Sequence, residues 1–137
     1  MVDSKNDYNL APCTLTYGTF DVFHYGHLEL LINASSLGLP LRIGLSTDEF
    51  NIQKNKHAKL TYSQREKLLL NIKNVEMIFP ENNWEQKKTD IVKYNAKFLV
   101  MGSDWTNKFD SLSHMIEVRY FTRTVEISSH EIRNITS

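Results

Sequence analysis

From Cys13 onward, short β-favouring runs alternate with stretches of helical periodicity, and this alternation leaves few folds open. Residues 14–17 form the first such run, stopped by Gly18. After a loop, apolar side chains at 28, 30, 31, 32, 34 and 37 predict a helix over 27–37 with one broad buried face, closed by Gly38. Residues 41–45 are a second strand. Residues 51–59 are polar, carry Lys54, Lys56, His57 and Lys59, and read as a mobile loop. Thr61 and Gln64 have capping-box spacing and open a helix that runs to about Ile72, with Leu68, Leu69 and Ile72 inward. A third strand over 75–79 ends at Pro80. A helix from Trp84 to about Tyr94 leads to a fourth strand over 98–101, and a short helical stretch near His114 to a fifth over 118–121. Ser128 caps a last helix through Asn134.

Strands separated by helices, with near-continuous apolar content, imply a parallel sheet covered on both sides. Right-handed crossovers make this an α/β, Rossmann-like, doubly wound domain of about five strands. Its ligand belongs at the carboxyl ends of the strands, where the strand order reverses. With 137 residues there is room for one such domain, over 13–137, after a polar lead-in over 1–12 that is expected to be disordered.

Charge and composition narrow the partners. Lys and Arg together number 16, as do Asp and Glu, so no global basic field draws the chain to nucleic acid or to an anionic membrane. The single cysteine, Cys13, excludes an internal disulfide and suits a reducing cytoplasm. The polar start lacks the apolar core of a signal peptide. No apolar run reaches the ~18 residues a membrane span needs.

The loop after the first strand reads Gly18-Thr19-Phe20-Asp21-Val22-Phe23-His24-Tyr25-Gly26-His27. Two histidines three apart straddle a glycine at a helix start, where free N–H groups and the helix dipole favour anions. This is a candidate phosphate site without the dinucleotide glycine fingerprint. The same pair could instead hold a metal, although no third ligand is evident nearby, or His24 could be a packed residue of a structural turn.

His24-Tyr25-Gly26-His27 after Gly18-Thr19-Phe20-Asp21 resembles the HxGH signature of the cytidylyltransferases, within the nucleotidyltransferase superfamily. Four further stretches resemble the bacterial glycerol-3-phosphate cytidylyltransferases. They are Ser46-Thr-Asp-Glu-Phe-Asn51, Asn83-Trp-Glu-Gln-Lys-Lys88, Met101-Gly-Ser-Asp-Trp105, and Arg123-Thr124 followed by Ile127-Ser128-Ser129. The likeness extends over roughly residues 14–135.

That resemblance implies an enzyme that joins CTP to glycerol 3-phosphate by direct attack, giving CDP-glycerol and pyrophosphate for teichoic-acid or capsule polymers. It implies Mg²⁺ carried with the nucleotide phosphates, no metal site built by the protein itself, and a homodimer paired through residues 72–78. His24, His27, Lys54 and Arg123 take the catalytic roles. CTP is held by Thr19, Phe20, His24, His27, Asp104, Trp105, Arg123, Thr124, Ser128 and Ser129. The acceptor meets Lys54, Lys56, Arg65 and Trp84. Lys73 stands where the family usually carries arginine. Glu126 replaces a family glycine beside the triphosphate, putting a negative side chain where close approach is expected. The alternatives are a different polyol or sugar phosphate as acceptor, or a non-catalytic nucleotide-binding module impaired by Glu126.

Overall fold

A computed structural model describes residues 10–21 and 25–121. Five strands, β1 (Cys13–Gly18), β2 (Leu41–Ser46), β3 (Val75–Glu81), β4 (Ala96–Gly102) and β5 (Glu117–Phe121), form one sheet in the order β3-β2-β1-β4-β5. Every neighbouring pair is parallel. Helix α1 (Tyr25–Ser35) links β1 to β2. Helices α2 (Asp48–Gln53) and α3 (Tyr62–Leu70) link β2 to β3, and α4 (Gln86–Lys93) links β3 to β4. Two 3-10 turns, Ser103–Trp105 and Asp110–Leu112, take the place of a helix before β5. The chain leaves β1 toward β2 on one side and reaches β4 on the other, so the strand order reverses between β1 and β4.

Side-chain alternation along the central strands builds a core on each side of the sheet. Leu41, Ile43, Leu45 and Val100 pack with Leu31 and Ala34 of α1 and Leu69 of α3. Cys13, Leu15, Tyr17, Leu99 and Met101 pack on the other side with Ile91, Leu112 and Ile116. Gly44 belongs to that second side, where a Cβ would collide with the Tyr17 ring.

Local chemistry explains where the elements depart from the expected bounds. Residues 51–59 are not wholly a loop. Thr47 caps α2 by accepting from Phe50 N, and the helix runs through Gln53. The Thr61–Gln64 capping box forms in both directions. Leu68, expected inward, is 46% exposed, because Arg65 and Leu69, four apart, occupy the buried stripe of α3. The helix expected from Trp84 starts at Gln86, whose N–H donates to Asn83 Oδ1. Pro80 does not end β3: β3 is an edge strand, where a missing N–H is tolerated, and pairing continues to Ser46↔Glu81. The helix over 128–134 lies outside the described residues.

Candidate active site

A cavity of about 340 Å³ opens at the carboxyl ends of β1 and β4, where the strand order reverses. Six residues named from the sequence line it: Thr19, Phe20, His27, Lys56, Asp104 and Trp105. His24, Arg123, Thr124, Glu126, Ser128 and Ser129 lie outside the described residues. Asp21, quoted above within the Gly18–Asp21 stretch but given no role, and Glu29 also line the cavity.

The wall contributed by β1 is a strained turn. Phe20 has φ of 49°, a left-handed conformation that costs a side-chain-bearing residue roughly 1–3 kcal/mol. Gly18 gives way to it, since a Cβ there would lie 2.9 Å from the Phe20 ring. Three side chains hold the turn. Arg65 Nη1 donates to Thr19 O at 2.9 Å, and Thr19 Oγ1 donates to Asn51 Oδ1 at 2.9 Å. The Asp21 carboxylate accepts from Lys59 N at 2.8 Å and Leu60 N at 2.9 Å. The ring of His27, at the start of α1, meets Phe20 edge-on at 5.3 Å.

Arg65 therefore departs from its expected role as a phosphate ligand. Its side chain is wholly buried. Besides Thr19 O, the guanidinium donates to Ser46 O at 2.8 Å, Leu60 O at 3.2 Å and Asp48 Oδ1 at 2.8 Å. An arginine fork suits phosphate, but it equally suits several converging carbonyls. Here it fastens β1, β2 and the residue before Thr61 to one helix.

Lys54 and Trp84 lie beside the cavity, over the ends of β2 and β3. Lys54 Nζ donates to Ser46 Oγ at 2.7 Å and stands 4.6 Å from the Phe50 ring centre. Burial lowers its ammonium from 10.5 to about 8, against the opposing pull of Glu81. Trp84, 44% exposed, contacts Phe50 and Trp105, the latter at 5.8 Å, and so joins this side to the cavity wall.

Under these aromatics lies a polar group that the sequence reading missed. Lys87, 3% exposed, pairs with the buried Glu81 at 2.7 Å, and Glu81 also accepts from Ser46 Oγ at 2.9 Å. Tyr17 Oη donates to Asp90 Oδ2 at 2.9 Å, and burial raises that carboxyl above its ordinary value. Lys87 falls within the Asn83–Lys88 stretch already quoted, but nothing in its spacing separates a buried lysine from a solvated one. Lys73 is exposed in the turn before β3.

Among the described residues no group of three His, Cys, Asp or Glu is arranged to hold a metal. The cavity does offer carboxylates at Asp104 and Glu29. That donor set suits a cation carried mainly by phosphate oxygens.

Residues 15–135 match the cytidylyltransferase-like family. A glycerol-3-phosphate cytidylyltransferase of Bacillus subtilis (strain 168) is 49% identical over 119 residues, covering 87% of this chain and 92% of that protein. One from Staphylococcus aureus is 44% identical, covering 87% and 90%. In three dimensions the chain resembles a lipopolysaccharide core biosynthesis protein of Thermoplasma volcanium GSS1. The TM-score is 0.68 at 18% identity, covering 82% of this chain and 97% of that one, a likeness of fold. On the match of nearly its whole length, the chain belongs to the cytidylyltransferase-like family.

Proposed function

We propose that this enzyme joins CTP to glycerol 3-phosphate, releasing pyrophosphate and forming CDP-glycerol. The observation that carries this reading is identity of 44–49% with relatives of that name over 87% of the chain. The position of the cavity at the β1/β4 reversal supports it.

In this reading CTP lies in the cavity, its base side toward Asp104 and Trp105. Its phosphates meet Thr19, Phe20 and the start of α1, with His24, His27, Arg123, Thr124, Ser128 and Ser129. A phosphate oxygen of glycerol 3-phosphate attacks the α-phosphorus of CTP. The bond from that phosphorus to the β-phosphate oxygen breaks in line, and pyrophosphate departs with the electron pair. No bond to the protein forms, so catalysis consists of positioning and of charge stabilisation. Lys54 and Lys56 supply positive charge to the reacting phosphates, beside Trp84 on the acceptor side. Arg65 acts indirectly, by holding Thr19. Mg²⁺, bound with the triphosphate, would neutralise the departing pyrophosphate.

A homodimer is part of this proposal. Residues 72–78 lead into and form most of the edge strand β3, and Leu68 and Leu70 nearby are 46% and 53% exposed. Sedimentation should return twice the chain mass. No helix among the described residues is long and apolar enough to cross a membrane, in keeping with work in the cytoplasm on a precursor of teichoic-acid or capsule polymers.

The test is pyrophosphate release with Mg²⁺, crossing four nucleoside triphosphates with a panel of small phosphates. Release with CTP and glycerol 3-phosphate, lost in His27→Ala, is the expected result. Release with a different polyol phosphate would keep the mechanism and change the acceptor. CTP binding without release from any pair would overturn the enzyme reading and leave a nucleotide-binding module.

A further inference from the structure

Helix α2 ends in a turn that places Lys56. Asn55 has φ of 58°, a left-handed conformation that glycine usually supplies at the end of a helix. Two hydrogen bonds close the turn back on the helix. Asn55 N donates to Ile52 O at 3.0 Å, and Lys56 N donates to Asn51 O at 2.8 Å. This is the full Schellman pattern, in which the residue after the left-handed one frequently packs an apolar side chain on the helix it has left. Here that residue is a lysine, so the motif does not serve to bury an apolar contact. Instead Lys56 lines the cavity at the carboxyl ends of β1 and β4. A right-handed residue at 55 would continue the helix and carry Lys56 onward along its axis. The turn is also tied to the opposite lining of the cavity. Asn51, 2% exposed, holds Lys56 N with its backbone carbonyl, and its side chain accepts from Thr19 Oγ1 at 2.9 Å. One residue thus sets the lysine in register with the turn over 18–21. Asn55 itself is exposed and is not part of the cavity lining.

We propose that Asn55 is a positioning residue for the reaction: its left-handed turn sets Lys56 against the cavity, where that lysine meets the reacting phosphates. This inference rests on the role proposed above for Lys56. After glycine, asparagine takes this conformation at least cost, because its short amide bonds locally. Glycine would allow the same turn but would leave the segment many other conformations. Asparagine narrows that choice, so the ammonium stands ready at the cavity and need not be found by a search of the loop.

The test compares Asn55→Gly, which keeps the left-handed backbone, with Asn55→Val, which opposes it. Position 55 is exposed, so neither exchange opens a core. Pyrophosphate release from CTP and glycerol 3-phosphate would be measured in both variants, and in Lys56→Met alone and combined with Asn55→Val. Asn55→Gly should keep kcat/KM near the native value. Asn55→Val should lower it about tenfold, the population shift expected from opposing a left-handed backbone. With Lys56 already replaced by methionine, Asn55→Val should cost nothing further, since the turn then has no ammonium to place. Losses that multiply in the double variant would make the turn merely structural and overturn the proposal, as would native kcat/KM in Asn55→Val. Amide exchange at Lys56 is a second measurement that needs no substrate. It should quicken in Asn55→Val and hold in Asn55→Gly, and equal exchange in the two variants would also overturn the proposal. A native enzyme that releases no pyrophosphate from this pair, with the exchange difference intact, would leave the turn standing and contradict the function proposed above, so the two failures are distinct.

Discussion

Lys54 is where a single proton decides the outcome. Burial holds its ammonium at about 8, and its proposed task is to meet phosphate as a cation. Activity should therefore fall as pH rises through about 8, approaching tenfold per unit beyond it. Lys54→Arg should lose this basic limb, because a guanidinium stays charged; a pH profile of kcat/KM for the acceptor checks both. Stability runs the other way. The unfolded chain keeps this proton up to the ordinary 10.5, so between about 8 and 10.5 the unfolded state binds more protons, and the cost of burying Lys54 fades as pH rises. Arg65 makes a second prediction. Arg65→Met should lower stability measurably by denaturant titration, because it leaves the buried carbonyls of Thr19 and Ser46 without their donor, at about 1–3 kcal/mol for a buried group left unsatisfied. It should also raise KM for CTP, since Thr19 loses its anchor. The sequence shows Arg65 as a helix arginine next to a basic loop and cannot show its direction. Whether a cation faces phosphate or three carbonyls depends on which strands end beneath it, a tertiary fact.

Among the elements, the turn over 18–21 and the segment after α2 act as one unit, because Asp21 accepts from two backbone N–H groups across the gap. Asp21→Ala should speed amide exchange at Lys59 and Leu60 and raise KM for CTP, with little change at α4. Thr61→Ala should cost about 1 kcal/mol, the usual worth of an N-cap, and the loss should be confined to α3. The capping box was legible because its residues are local in sequence. So were the five strands and most of their helical separators, whereas Thr19, Phe20, Asp104 and Trp105 were named through the family resemblance. What was not legible depends on distant partners. α2 was hidden by a polar composition that Thr47 overrides through capping. Leu68 was placed inward because its neighbours are apolar, while the buried stripe passes through Arg65 instead. Lys87 resembled any lysine in a charged run until Glu81 and three rings closed around it.

For the whole molecule, the order β3-β2-β1-β4-β5 makes the cavity proposed to hold CTP a meeting of two halves rather than a property of either. A ligand bridging them should stabilise the complete fold. CTP at a hundred times its Kd should add roughly 2.7 kcal/mol, and a thermal melt with Mg²⁺ should shift upward by several degrees. The left-handed turn at Phe20 has a further consequence in time. The ribosome delivers that turn first, yet its clamp arrives 46 residues later with Arg65, and the opposing wall only with Gly102. A growing chain thus carries the turn over 18–21 long before the rest of the cavity exists to face it. If CTP binds there as proposed, it has no complete site on the early chain, and its capture marks a chain that has already reached Phe121 of β5.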